Sequence, residues 1–157
     1  MIMIHTPASV TTALPQAIVD YLDGSKLNER VGEAISVTTI DADGCPHGSL
    51  LSVGEILAID AQHLKIAVWA ESTTARNLAR DGRISLTLAL DGGLWEVLLD
   101  AKPASGEALA MFTATVRKVR THKVEYADVL TSVTYRLHDQ AGVMARWERQ
   151  IADLRDA

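Results

Sequence analysis

Cysteine, aromatic residues and basic patches are all scarce in this chain. Cys45 is the one cysteine in 157 residues, which excludes an internal disulfide framework and fits a reducing compartment. Aromatic residues make up 4%, with Phe112 the sole phenylalanine, so the core has to be built from Val, Leu, Ile and Ala. Lys and Arg never form a continuous patch and the net charge is −5, which argues against a general affinity for nucleic acid. No apolar run approaches the roughly 20 residues needed to span a bilayer. The opening MIMI is too short for a secretory h-region and has no basic n-region. The expectation is a soluble, cytoplasmic protein with no membrane partner.

Several chemical fingerprints are missing too. There is no glycine-rich dinucleotide or P-loop motif, no HExxH and no Gly-x-Ser-x-Gly. Cys45-Pro46-His47 places a thiol near an imidazole, but no second cysteine or paired histidine stands at metal spacing. Asp41-Ala42-Asp43-Gly44 resembles the start of a calcium loop, yet Ser52 stands where the bidentate glutamate is needed. No metal is expected, and no catalytic residue is assigned.

What is present is ordinary globular chemistry, 48% hydrophobic and 22% charged, at a length suited to one domain with a real core. We expect a single domain over 1–157, with a helix at about 15–23, a barrel at about 34–138 and a last helix at about 140–155. Pro15 suits the first turn of that first helix and Gly24 its end. Val, Ile and Thr at 34–40 read as a strand, ended by a turn with Gly44 placed for positive φ. A return strand is expected over about 47–58, a third over 64–69, a fourth over 83–90 and a fifth over 94–101. Asp91-Gly92-Gly93 reads as a hairpin loop, and Pro103 with Gly106 breaks the pattern.

Leu109 to Val119 fits a helix face or a strand; its Thr and Val content favours strand. A last strand is read at 132–137. Asp139 can cap a helix whose Val143, Trp147, Ile151 and Leu154 form one apolar stripe. About six or seven short strands in hairpin order predict a mainly β fold with peripheral helices, an antiparallel barrel.

The densest signal is LKIAVWAESTTARNLARDGRISLTLAL, residues 64–90. A strand runs into a Ser/Thr-rich turn, the turn opens a short helix, and another strand follows. A helix N-terminus leaves amide N–H groups unpaired and carries partial positive charge, which suits an anion. Ser72, Thr73 and Thr74 add hydroxyls, and Arg76 adds a guanidinium matched to phosphate. The same residues also describe a capped connecting helix with no ligand.

Two segments in sequence order, SVTTIDADGCPHGSLLS and STTARNLARDGRISL, resemble the pyridoxamine 5'-phosphate oxidase-like FMN-binding split-barrel superfamily. The resemblance covers roughly 14–90. It implies a split barrel, a homodimer, and FMN held at the subunit interface for flavin-mediated hydride or electron transfer to an unknown small molecule. By position it implies that Ser49, Leu50, Leu51 and Ser52 run along the flavin ring and that Val68, Trp69 and Ala70 end beside it. Ser72, Thr73, Thr74, Arg76 and Asn77 would meet the phosphate. Many relatives carry a lysine where Thr74 stands here. A family substrate motif, Arg-Leu-His, is matched by Arg136-Leu137-His138, although the tryptophan shortly before it is absent; the alternative is a surface strand end before the Asp139 cap. The last helix with Trp147 is read as part of the dimer seam, on family grounds, rather than as packing on its own barrel. Two other functions share this fold: an F420-binding reductase, and a non-catalytic flavin-binding or dimeric protein.

Overall fold

The computed structural model describes residues 9–106 and 109–157. Its elements run β1 (Ser9–Thr11), α1 (Gln16–Tyr21), a 3-10 turn (Leu27–Glu29), β2 (Glu33–Ile40), β3 (Pro46–Leu51), β4 (Ile56–Ala58), β5 (His63–Val68), α2 (Thr73–Arg80), β6 (Arg83–Leu90), β7 (Gly93–Ala104), β8 (Ala110–His122), β9 (Val133–Thr134) and α3 (Gln140–Asp156).

Seven of the strands are hydrogen-bonded in the order β3-β2-β6-β7-β8-β5-β4, every pair antiparallel, with β1 added to β8 and β9 to β2. The order itself forces the sheet to curl. Strands β3 and β4 are its two edges, and a flat sheet of this size would hold them about 29 Å apart. Yet Leu51 ends β3 and Ile56 begins β4, a length of chain that reaches at most about 18 Å. The sheet therefore bends round until its edges approach, which makes an open, split barrel.

Alternation along the strands points one set of side chains inward. Ile35, Val37, Ile56, Leu64, Ile66, Leu86, Val97, Leu99 and Ala114 fill the interior, all nearly inaccessible to solvent. The extra residue Arg117 lies between the pairs Leu98↔Lys118 and Leu99↔Val116, a bulge that helps the long β7–β8 ribbon bend. Asp91 and Gly92 both take positive φ (52° and 76°) between Leu90 and Gly93, the backbone a two-residue hairpin requires.

Four sequence expectations change in the structure. The return strand over 47–58 is broken at 52–55, because Glu55 accepts hydrogen bonds from the Ser52 amide (2.7 Å) and hydroxyl (3.0 Å) and closes a turn. The fifth strand does not stop at Ala101 but continues through Pro103 to Ala104. Proline is tolerated there because β6 ends opposite Asp100, so beyond it β7 has a partner on only one side. The strand at 132–137 shrinks to two residues, since β3 and β6 already occupy both sides of most of β2 and leave only Glu33 and Ala34 to pair with it.

The fourth change concerns α3. Trp147, Ile151 and Leu154 are 2%, 3% and 0% exposed within one chain. The stripe packs on the chain's own barrel, above the 52–55 turn, and the reading of Trp147 as part of a dimer seam is withdrawn. The Asp139 cap is as expected, its carboxylate accepting from the Gly142 amide at 3.1 Å. The segment 109–119 lies almost wholly in strand β8.

Candidate functional site

Helix α2 follows β5 through a tight turn in which the Ser72 amide donates to the Trp69 carbonyl at 3.0 Å. Ser72 then caps the helix, its hydroxyl accepting from the Ala75 amide at 3.1 Å. The Arg76 amide donates to the Ser72 carbonyl at 3.2 Å, which leaves the amides of Thr73 and Thr74 with no acceptor among the described residues. Helix geometry makes such amides point outward along the axis, toward any anion placed at this end.

The residues expected to meet a phosphate divide into two groups. Ser72, Thr73 and Arg76 lie at the surface. The Arg76 guanidinium bends back to donate to the Glu71 carbonyl (2.7 Å) and the Thr73 hydroxyl (3.0 Å), so it is already held at the helix N-terminus. Thr74 and Asn77 face inward instead, at 5% and 2% exposure. The Thr74 hydroxyl donates to Ser49 Oγ at 2.9 Å and ties α2 to β3. Asn77 Nδ2 donates to Thr39 Oγ1 (3.0 Å) and Asp41 Oδ1 (2.9 Å), tying α2 to the end of β2. These two side chains are therefore spent on fixing the helix against the first hairpin.

Along β3, Leu50 is half exposed while Leu51 and Ser52 are buried, Ser52 within the turn closed by Glu55. Because β3 is an edge strand, alternate residues turn their amide and carbonyl away from β2 and toward an open side. At the end of β5, Val68 is buried but Trp69 and Ala70 are exposed. Arg136 and His138 lie exposed between β9 and α3, and neither forms a hydrogen bond or ion pair with the α2 residues. The structure thus joins β3 to α2, and leaves the Arg-Leu-His segment unconnected to them.

Sequence reasoning missed Arg80, Asp41 and Asp43. With Thr73, Arg76 and Asn77 they line an open cleft of about 450 Å³ beside α2. Arg80 follows Arg76 by one helical turn, a spacing that could have flagged it. Its guanidinium donates to the Ile40 carbonyl and to Asn77 Oδ1 (3.1 Å). Across the cleft, the Cys45 amide donates to Asp43 (3.0 Å) and holds that carboxyl below its ordinary range. The cleft is thus cationic on the helix side and anionic on the hairpin side.

A curled antiparallel sheet with a capped helix at its edge defines the split-barrel class. Solved structures bear this out: HupZ of Group A Streptococcus shares the fold with a TM-score of 0.55 at 15% identity, over 74% of this chain and 99% of that one. A candidate pyridoxamine 5'-phosphate oxidase from Lactobacillus delbrueckii gives a TM-score of 0.56 at 18% identity, over 73% and 98%. An FMN-binding protein from Syntrophomonas wolfei gives 0.50 at 13%, over 69% and 91%. The fold is that of the pyridoxamine 5'-phosphate oxidase-like superfamily. No family model matches the chain. At the level of sequence, YclD of Bacillus subtilis, an uncharacterized protein, is 32% identical over 143 residues, 88% of this chain and 93% of that one. The chain belongs to the YclD family of split-barrel proteins.

Proposed function

We propose that the protein is a homodimeric, FMN-binding oxidoreductase that passes electrons between a hydride donor and a small molecule. The observation that carries this reading is the N-terminus of α2: the Thr73 and Thr74 amides take no acceptor among the described residues, and a fixed guanidinium, Arg76, stands beside them. An anion placed there would receive backbone and charge-assisted donors together. Ser72 and Thr73 add hydroxyls. The side chains of Thr74 and Asn77 would not touch the phosphate; they position the helix that does.

The open side of β3 adjoins the same helix through the Ser49–Thr74 hydrogen bond. Its unpaired edge groups and the half-exposed Leu50 suit the edge and face of a planar ring system. Trp69 and Ala70 lie in the turn that leads into that helix. Flavin, when bound, supplies the redox chemistry; the chain supplies binding and orientation, so the reading requires no acid–base constellation. The FMN-binding neighbour from Syntrophomonas wolfei supports the choice of cofactor through its shared fold.

One observation favours a second reading, a split barrel that binds flavin without catalysis or not at all. The position that many relatives fill with lysine is Thr74, buried and committed to Ser49, so one cation is lost from the phosphate side.

The test is a visible absorption spectrum of the concentrated protein before and after addition of FMN and desalting, followed by reduction with NAD(P)H. Retention near one flavin per protomer and bleaching by the reductant support the oxidoreductase. Retention without turnover supports the binding protein. A colourless protein that takes up F420 instead moves the assignment to the deazaflavin reductases.

A further inference from the structure

Helix α3 lies over the split of the barrel, above the 52–55 turn that carries the chain from one edge strand to the other. Trp147 sits directly on Gly54 of that turn. The C-terminal end of α3 is well anchored. Ile151 packs against Gly24, the Arg155 guanidinium donates to the Asp23 carbonyl at 2.9 Å, and the Lys65 ammonium donates to the Ala157 carbonyl. The part that covers the turn has no such tie. Among the described residues, no side chain from 140 to 150 forms a hydrogen bond or ion pair with the barrel.

The polar groups in that contact are poorly matched. Gln150 is 8% exposed, and its buried Oε1 has no hydrogen-bond partner. Glu55 is largely buried, and its carboxylate accepts only from the Ser52 amide and hydroxyl. The charged and titratable groups that face it are Arg146 of α3, which stays outside ion-pair distance, and the Tyr135 phenol. From β5 it meets the Ala67 amide, which donates to the Glu55 carbonyl at 2.9 Å. A buried acceptor without a donor and a buried carboxylate without a paired cation each carry a desolvation cost that water would relieve. Both costs fall in the contact between α3 and the barrel, whereas buried polar atoms elsewhere in folded proteins are nearly always satisfied.

We propose that α3 is a displaceable strap over the split of the barrel: it opens as a unit before the sheet does, and Glu55 sets how readily. Opening returns Gln150 and Glu55 to water and bares Trp147, Ile151 and Leu154, all buried in the closed form. Closing desolvates the Glu55 carboxylate, so the open form gains where that group is ionised and loses where it is protonated. Burial holds the carboxyl above its ordinary value. The opening constant therefore rises with pH from the ordinary carboxyl value up through the raised one, then levels off. The strap does not rest on the flavin reading, because neither Glu55 nor any residue of α3 is assigned to that site.

The experiment is native-state hydrogen exchange of the full-length protein, read by mass spectrometry on peptides from α3 and from β7–β8 and corrected for the intrinsic pH dependence of exchange. In the wild type at neutral pH, α3 is expected to open at least about tenfold more often than β7–β8. Its opening constant should rise severalfold between about pH 4.5 and pH 7.5, while that of β7–β8 changes less. Glu55→Gln keeps an acceptor for Ser52 and removes the ionisation, so it should flatten the pH dependence of α3. Gln150→Met fills the same space without the orphan acceptor and should make α3 open severalfold less often at every pH. Exchange of α3 only together with the sheet overturns the proposal. So does a pH dependence that survives Glu55→Gln, or a Gln150→Met protein whose α3 opens more often than the wild type's.

Discussion

The indole of Trp147 rests on the backbone of Gly54: a Cβ built on Gly54 would stand 2.0 Å from Trp147 Cγ. One residue without a side chain and one with the largest therefore share a single packing space. The contact joins the last helix to the turn between the two edge strands, where the barrel is split. Its partners are fully buried, so it is settled within one chain.

Replacing either residue should be costly, and the two effects should not add. Gly54→Ala overpacks the site and is expected to cost about 1–3 kcal/mol. Trp147→Ala leaves a cavity and is expected to cost about 3–5 kcal/mol. In the double variant the new methyl enters the space the indole has left, so its loss should be smaller than the sum. Urea unfolding of the four proteins measures this; strict additivity would show that the two residues do not compete for space.

Asn77 should matter for stability before it matters for any ligand. Its amide donates to Thr39, which is 0% exposed, and to Asp41. Asn77→Ala leaves the Thr39 hydroxyl with one partner fewer and is expected to cost about 1–3 kcal/mol. Asn77→Asp should be worse at neutral pH, because it sets a buried carboxylate against Asp41. That new group would have a raised pKa in the fold, so its penalty should fade as pH falls from that raised value toward the unfolded one, and be gone below about 4. Equal stability of the two variants at pH 7 would argue that the Asn77–Asp41 contact is absent in solution.

Glu55 gives a pH signature of its own. Burial pushes its carboxyl above the ordinary value, despite the hydrogen bonds from Ser52. A carboxyl raised on folding favours the fold when protonated, and that advantage is lost as pH rises from the unfolded pKa through the folded one. Glu55→Gln keeps an acceptor for the Ser52 amide and removes the ionisation. The variant should therefore match the wild type near pH 4 and exceed it at pH 7. A wild type that is the more stable at neutral pH would mean that the Ser52 hydrogen bonds and the attraction of the Arg146 charge outweigh burial.

These residues also show what the sequence could convey. The hairpins at Gly44 and at Asp91-Gly92 were legible because positive φ leaves few residue choices, and both turns adopt it. The α3 stripe was legible as a stripe, but nothing in its periodicity says whether the surface it meets belongs to its own barrel or a second copy. The break at 52–55 was hidden because the turn is closed by one carboxylate reaching back three residues, Glu55 to Ser52, a contact that no local turn signature announces. Thr74 and Asn77 were read as facing a phosphate because the family resemblance carries both positions to that side of the flavin. Here polar groups on β2 and β3 satisfy them inside, a pairing made by the fold rather than by local sequence.

That division leaves Arg76 as the side chain that decides the proposed flavin phosphate contact. Its guanidinium is already oriented by Glu71 and Thr73, so little conformational freedom remains to be lost when a phosphate binds. Arg76→Ala is expected to weaken FMN binding by about 1.5–3 kcal/mol, the scale of a charge-assisted hydrogen bond. Riboflavin, which lacks the phosphate, should bind the variant and the wild type alike. Fluorescence titration with both flavins separates the two contributions: an FMN affinity unmoved by Arg76→Ala would remove the phosphate from the N-terminus of α2, whereas an equal loss for FMN and riboflavin would place Arg76 at the ring instead.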